Sequence, residues 1–142
     1  MDTPDTAPLD VPIVKSVAID APATAVFAFL ADARNWSRWA VVNILGVGEC
    51  VDGWWAITTP DGPARIRLHT DEATGVVDHD FADDDGFLAT LPARVTPNGR
   101  GATFALTFTR PSDADEDQFA AFLATVDVEL ETLRRVLEVT DR

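Results

Sequence analysis

Five turn signals follow one another between residues 52 and 99, and they constrain the fold more than any other feature of the chain. They are Asp52-Gly53, Asp61-Gly62, Ala73-Thr74-Gly75, Asp83 to Gly86 and Asn98-Gly99. Asp-Gly and Asn-Gly dipeptides between strand-forming runs are strong hairpin signals, because the tight turn needs residues that accept positive φ. The chain from Val41 onward is therefore predicted to form a meander of six antiparallel strands.

An amphipathic helix is predicted after the meander, over about residues 113–140. Its apolar side chains recur at three-and-four spacing, and Ser112 or Asp113 is placed to cap its N-terminus. The apolar positions are Phe119, Phe122, Leu123, Val126, Leu130, Leu133 and Leu137. A helix with such a stripe must bury it, and one face of the meander offers the large surface that this requires.

The chain before the meander supplies one strand and two short helices. Residues 12–20 alternate apolar and polar side chains and predict strand one. Asp20 or Ala21 is placed to cap a helix with Pro22 in its first turn. Residues 34–40, with the sequence RNWSRWA, predict a second short helix or turn.

Length and charge limit the classes of protein and partner. The 142 residues suit one domain, which we place at 11–142 after a disordered tail over 1–10. A net charge of −13, from 24 acidic and 11 basic residues, argues against nucleic acid and anionic membranes as partners, since both need clustered Lys and Arg. We find no signal peptide and no apolar run long enough for membrane insertion, and we expect a cytoplasmic protein. A single cysteine, Cys50, rules out an internal disulfide.

The turn at Ala73-Thr74 sets a register and thereby decides which side chains face inward. It places Leu68 opposite His79, Ile66 opposite Phe81 and Thr70 opposite Val77. The other face pairs His69 with Asp78 and Arg67 with Asp80. Because the face with the apolar side chains must be the one that is covered, His79 is expected to point inward. The charged side chains of the other face are expected to point outward.

The other turns give the remaining registers. The Asn98-Gly99 turn pairs Val95 with Ala102, Ala93 with Phe104, Leu91 with Leu106 and Ala89 with Phe108. The Asp61-Gly62 turn pairs Ile57 with Ile66 and Trp55 with Leu68, and the Asp52-Gly53 turn pairs Cys50 with Trp55 and Gly48 with Ile57. These pairs put Trp55 inside and Trp54 outside, with Gly46, Gly48 and a buried Cys50 on the inner face. The prediction is an α+β fold, a curved antiparallel sheet of about seven strands around the long C-terminal helix.

This order of elements resembles the START-related helix-grip superfamily (SRPBCC), and within it the bacterial polyketide cyclase/dehydrase-like group. The matching stretches are IDAPATAVFAFLADARNWSRW, GVVDHDFADDDG, LPARVTPNGRGATFALTF and the final amphipathic helix. The resemblance covers residues 12–139. It implies a helix-grip fold whose members bind lipids, polyketides, plant hormones or isoprenoids between sheet and helix, and some of which are cyclases or dehydratases.

Inward-facing residues form the candidate site. His79 is the candidate catalytic residue, because imidazole titrates near neutral pH and an apolar cup with one proton carrier would suit cyclisation. The alternative is a core histidine that bonds a backbone group or Thr70. The candidate ligand-binding residues are Trp36, Trp39, Trp55, Thr70, His79, Phe81, Leu91, Phe104, Leu106 and Phe122. Ordinary core packing is the alternative for the tryptophans.

Other site chemistries have weaker support. His69 with Asp71, Asp78 and Asp80 resembles a metal-ligand set, but Arg65 and Arg67 are nearer partners for the carboxylates, so we expect no metal. The Gly46-Val47-Gly48 run opens no helix, and the chain lacks a phosphate-binding GxxxxGK motif, so we expect no cofactor.

Three functions remain open from the sequence. The first is a binding module for one hydrophobic or aromatic small molecule. The second is a cyclase, aromatase or dehydratase that uses His79 in the same cavity. The third is an interaction protein with a filled cavity, which acts as a homodimer or through a patch at Val51, Trp54 and His69.

Overall fold

The computed structural model of the chain describes residues 11–111 and 114–140 and has the helix-grip fold. The predicted tail over 1–10 and the predicted caps Ser112 and Asp113 lie outside those residues. The strands are β1 (Ile13–Ile19), β2 (Gly46–Val51), β3 (Trp54–Thr59), β4 (Gly62–Asp71), β5 (Val76–Asp83), β6 (Leu88–Leu91), β7 (Ala93–Asn98) and β8 (Gly101–Phe108). The helices are α1 (Ala23–Leu30), a 3₁₀ turn (Ala33–Asn35), α2 (Trp36–Trp39) and α3 (Glu116–Thr140).

The eight strands form one antiparallel sheet in the order β1-β8-β7-β5-β4-β3-β2, with β6 paired to β5. The predicted fifth strand of the meander is two strands, β6 and β7, because Pro92 has no N–H for the ladder and the chain changes partner there. Leu91 accordingly lies opposite His79 rather than Leu106, and Ala89 lies opposite Phe81 rather than Phe108.

The predicted faces of β3, β4, β5, β7 and β8 are confirmed, although two registers differ from the prediction. The β4–β5 pairs are as predicted, including Leu68 opposite His79. Trp55 pairs with Ile66 instead of Leu68, and Val95 pairs with Phe104 instead of Ala102. Each of these shifts is by two residues, so every side chain keeps its face.

Turn geometry explains the two register shifts. Gly99, with a φ of +58°, is the first residue of a loop formed by Gly99 and Arg100, so Asn98 pairs with Gly101. In the other turn, the Thr59 hydroxyl donates to the Gly62 carbonyl at 2.8 Å, and Thr59 pairs with Gly62. Both loops begin one residue away from where the dipeptide alone placed them.

Strand β2 departs from the predicted inner face. Cys50 pairs with Trp55 as predicted. A bulge lies between Val47 and Cys50, however, so Val47 rather than Gly48 lies opposite Ile57. Gly46 therefore falls opposite Thr58, on the outer face. The prediction that Cys50 is buried is wrong: it is exposed, since β2 is the edge strand of the sheet.

Helices α1 and α3 both begin later in the chain than predicted. Helix α1 starts at Ala23, with Pro22 rather than Asp20 or Ala21 at the cap. Helix α3 starts at Glu116. The Asp115 carboxylate accepts from the Gln118 backbone N–H at 2.7 Å, and the Gln118 side-chain oxygen accepts from the Asp115 backbone N–H at 2.9 Å.

Helix α3 buries its apolar stripe and lies along β1. Val126, Leu130, Leu133 and Leu137 are buried, whereas Phe122 is 37% exposed. The helix is tied to β1 by an ion pair between Lys15 and Asp127 at 3.2 Å. Within the described residues, no helix is long and apolar enough to cross a membrane.

Candidate functional site

A pocket of about 410 Å³ opens between the inner face of the sheet and the segment that links α1 to α2. Its floor comes from Trp55 on β3 and from Leu68 and Thr70 on β4. Its wall is the segment 31–34, and Gly53 of the β2–β3 turn lies at one end. This volume falls within the range of about 300–1,000 Å³ that is usual for small-molecule sites.

Strand alternation places the floor side chains. Trp54 and Trp55 are adjacent in sequence, so their side chains leave opposite faces of β3. Trp55 packs against the core from the inner face, and Trp54 lies on the outer face between the Arg65 and Arg67 side chains. Trp55 is half-buried, which leaves part of an aromatic surface open to the pocket.

The wall is a compact turn stabilised by one charged pair. The Asp32 carboxylate accepts hydrogen bonds from the Arg34 backbone N–H at 3.0 Å and from the Arg34 guanidinium at 2.8 and 3.0 Å. These bonds lower the pKa of Asp32. Asn35 donates to the Phe29 carbonyl at 3.0 Å and closes the turn against α1. The rim of the pocket thus carries a neutralised ion pair.

Four of the predicted ligand-binding residues form a packed interior beside the pocket. They are Trp36, Trp39, Phe104 and Leu106, and none is more than 3% exposed. The Trp36 and Trp39 rings meet edge to face at 5.1 Å, and Trp39 meets Phe104 at 5.9 Å. Trp36 also donates its indole N–H to the Leu30 carbonyl at 2.8 Å. This part of the inner face is filled by side chains.

His79 points inward as predicted and lies beneath Trp36. The two rings are 4.6 Å apart, edge to face, and His79 is 7% exposed. Burial lowers the pKa of His79 to about 4, and a backbone hydrogen bond between the ring and Val77 and the charges of Asp78 and Asp80 offset this only in part. The imidazole is therefore neutral at pH 7. Its Nδ1 has no hydrogen-bond partner among the described residues, including Thr70.

The three remaining predicted residues lie outside the pocket. Phe81 and Leu91 are half-buried on the inner face of β5 and β6, where Phe81 meets Phe87 at 6.1 Å. Phe122 on α3 meets Phe108 at 5.5 Å. Of the ten predicted ligand-binding residues, the structure thus brings Trp55 and Thr70 together at the pocket and places His79 one strand away from it.

The outer face carries a polar cluster centred on Asp80. Its carboxylate accepts hydrogen bonds from Arg67 at 2.9 and 3.2 Å, from His69 at 2.7 Å and from the Thr90 hydroxyl at 2.6 Å. The bonds from Thr90, His69 and Arg67 lower the pKa of Asp80 to about 2. His69 therefore bonds diagonally to Asp80, although it lies directly opposite Asp78. No group of three potential metal ligands occurs among residues 11–111 and 114–140.

A buried carboxylate ties helix α3 to the loop before β2. One oxygen of Glu129 accepts the backbone N–H groups of Val42 and Asn43, at 3.1 and 2.8 Å, and the Asn43 side chain at 3.1 Å. Burial raises the pKa of Glu129, and these hydrogen bonds oppose the rise. This anchor was not predicted from the sequence, although a charged residue between Val126 and Leu133 on the apolar stripe is a signal for one.

The pocket wall at 31–34 was also not predicted from the sequence. The signal was a charged pair, Asp32 and Arg34, between two apolar helical segments. Asp favours helix starts because its side chain accepts backbone N–H bonds, which is what Asp32 does at the 3₁₀ turn.

No family model and no curated protein matches the chain. Solved structures match its fold. XoxI from Bacillus cereus is 13% identical with a TM-score of 0.71, over 89% of this chain and 95% of that protein. The Aha1 dimer from Colwellia psychrerythraea is 14% identical with a TM-score of 0.70, over 91% and 97%.

A third similar structure is BexL, a di-domain ARO/CYC from the BE-7585A biosynthetic pathway. It is 20% identical with a TM-score of 0.69, over 93% of this chain, and the match spans 48% of BexL. Identities this low establish the fold and leave the chemistry to the residues of the site. The fold is the helix-grip fold that the sequence resemblance implied.

Proposed function

We propose that the protein binds one small hydrophobic or aromatic molecule in the 410 Å³ pocket. The observation that carries this proposal is the pocket itself, floored by the half-buried Trp55 and Leu68 on the inner face of the sheet. Exposed apolar and aromatic surface in a concave site gains free energy when a ligand removes it from water. Much of the remaining lining is polar, because it includes Asp32, Arg34 and Thr70, and these groups would orient the ligand.

The similar structures support the same class of function. BexL is an ARO/CYC from a biosynthetic pathway, and this chain shares the fold of one half of it. A polyketide-, lipid- or isoprenoid-like ligand would be consistent with the resemblance found in the sequence. A cyclase or dehydratase reaction with His79 as proton carrier stays a prediction, since His79 is buried beneath Trp36 and does not line the open pocket.

Two adjacent tryptophans provide the test of this proposal. The chain has four tryptophans, so a ¹⁵N-labelled sample gives four indole N–H signals, which Trp→Phe variants assign. We expect naphthalene, as a neutral aromatic probe, to shift the Trp55 signal saturably and to leave Trp54, on the opposite face of β3, unchanged. A shift of Trp54 alone, or no saturable shift, would overturn the proposal.

A matched pair of substitutions tests the location of the pocket. Leu68→Gln puts a polar group of similar size on the pocket floor, and we expect it to weaken naphthalene binding by about tenfold, equivalent to about 1.4 kcal/mol. Leu88→Gln makes the same change on the outer face of β6, where Leu88 is 65% exposed, and should leave the affinity unchanged. Equal effects of the two substitutions would contradict the assignment.

A further inference from the structure

Two buried ring nitrogens lack hydrogen-bond partners among the described residues: Trp39 Nε1 and His79 Nδ1. Trp39 is 2% exposed and His79 is 7% exposed. A buried polar atom without a partner costs about 1–3 kcal/mol, and such atoms are rare in folded proteins. Two of them in one small region therefore require a physical explanation.

The same indole ring covers both nitrogen-bearing rings. The Trp36 ring lies 5.1 Å from that of Trp39 and 4.6 Å from that of His79. Its own N–H is satisfied by the Leu30 carbonyl. Trp36 is thus an apolar cover that offers its two neighbours no hydrogen-bond acceptor.

This group adjoins the pocket on two sides. His79 lies directly opposite Leu68, which forms part of the pocket floor, and directly opposed side chains on antiparallel strands lie about 5 Å apart. Trp36 follows the pocket wall at 31–34 after one residue in the chain. Trp36 thus links the pocket wall to the two rings that carry the unpartnered nitrogens.

We propose that an occupied pocket extends past Trp36 to Trp39 and His79, and that its ligand carries an uncharged hydroxyl or carbonyl oxygen on the inner end. This inference rests on the proposed function and specifies its ligand. Indole Nε1–H is a donor only, so its partner must be an acceptor oxygen, and a neutral imidazole accepts from a hydroxyl or donates to a carbonyl.

The charge state of the interior favours an oxygen without charge. The low pKa of His79 keeps its ring neutral at pH 7, so it offers no cation to a carboxylate. Burial of an unpaired carboxylate would cost far more than burial of a hydroxyl. A ligand oxygen at this position would supply the partner that the two nitrogens lack among the described residues, and functional sites commonly carry such a cost in stability.

The test compares naphthalene with 2-naphthol, which differs by one hydroxyl. In the wild-type protein we expect 2-naphthol to shift the Trp39 indole signal as well as the Trp55 signal. We also expect it to bind about fivefold more tightly than naphthalene, because its hydroxyl adds one net hydrogen bond. Naphthalene should shift Trp55 and leave Trp39 in place. Equal affinities of the two probes, with no shift of the Trp39 signal, would overturn this inference and leave the proposed function standing. If neither naphthalene nor 2-naphthol binds, both the inference and the proposed function are overturned.

Substitution of His79 gives an independent readout. His79→Leu should reduce the preference for 2-naphthol to within about twofold and raise the melting temperature by about 3 °C, because it removes an unsatisfied polar group. A histidine with a merely structural role would lower the melting temperature on substitution and leave the preference intact. Trp39→Phe, which removes the indole N–H, should also diminish the preference, so the inference stays testable if one variant does not fold.

Discussion

Substitution of Asp80 by Asn removes the charge on which the outer-face cluster depends. In the wild-type protein one carboxylate oxygen accepts from both Arg67 and His69, and the other accepts from Thr90. The asparagine amide keeps one acceptor oxygen and replaces the other by an N–H₂ group. Even with the amide oxygen facing Arg67 and His69 and the N–H₂ group donating to the Thr90 hydroxyl, the charge that strengthens these bonds is lost, so Asp80→Asn should destabilise the protein at neutral pH.

The magnitude follows from the pKa of the carboxyl group. The folded protein lowers the pKa of Asp80 from its ordinary value of 3.8 to about 2. At about 1.36 kcal/mol per pH unit, this corresponds to roughly 2.4 kcal/mol of folding free energy. Because Arg67 and His69 are 41% and 51% exposed, salt and water screen part of the interaction, and we expect about 1–2 kcal/mol.

The sign of the pH dependence distinguishes this cause from general loss of packing. A depressed folded-state pKa gives stability that is present above pH 3.8 and is lost as pH falls toward 2. Urea unfolding of wild type and Asp80→Asn should therefore differ by about 1–2 kcal/mol at about pH 6 and by much less at about pH 2.5. Asp84→Asn, the same change at an exposed turn, is the control and should have little effect. A difference between wild type and Asp80→Asn that is constant with pH would refute the reasoning.

Three further predictions concern the fold. Gly75→Ala should lower the free energy of unfolding in urea by about 3 kcal/mol or more, because φ is +76° and the new Cβ would lie 2.0 Å from the Val95 carbonyl oxygen. Gly99→Ala, with open space around it, should lower it by about 1 kcal/mol, and equal losses for the two variants would contradict this account. Burial raises the pKa of Glu129, so its contribution should fall as pH rises, and the stability advantage of wild type over Glu129→Gln should shrink from about pH 5 to about pH 8; an advantage that grows would exclude this cause. Cys50 should react with a thiol reagent in the native protein as fast as in urea, and protection from the reagent would place it in the interior.

The parts of the fold that were predictable depend on local chemistry. Hairpin turns are encoded by short sequences, and strand alternation then assigns faces, so the inward positions of His79 and Trp55 followed from the sequence. The register errors at Gly99 and at Thr59 were two residues each, because a dipeptide signal does not fix the residue at which the loop begins. Pro92 was a visible signal for a strand break that the periodicity argument passed over.

The candidate site was predictable only in part, because its shape depends on contacts between distant segments. Strand alternation places Trp55 on the inner face but does not say that Trp55 stays half-exposed while Trp39, on helix α2, packs on Phe104. Likewise, direct cross-strand pairing predicted Asp78 as the partner of His69, whereas the side chain reaches diagonally to Asp80. Such outcomes are decided by side-chain packing, which one sequence does not reveal.

The most direct test of the pocket assignment is an NMR measurement of intermolecular nuclear Overhauser effects between bound naphthalene and the protein. The pocket predicts contacts to the Leu68 methyl groups and the Trp55 ring on the inner face of the sheet. Contacts confined to Val51 and Trp54, which line a smaller depression of about 330 Å³ on the outer face, would contradict it.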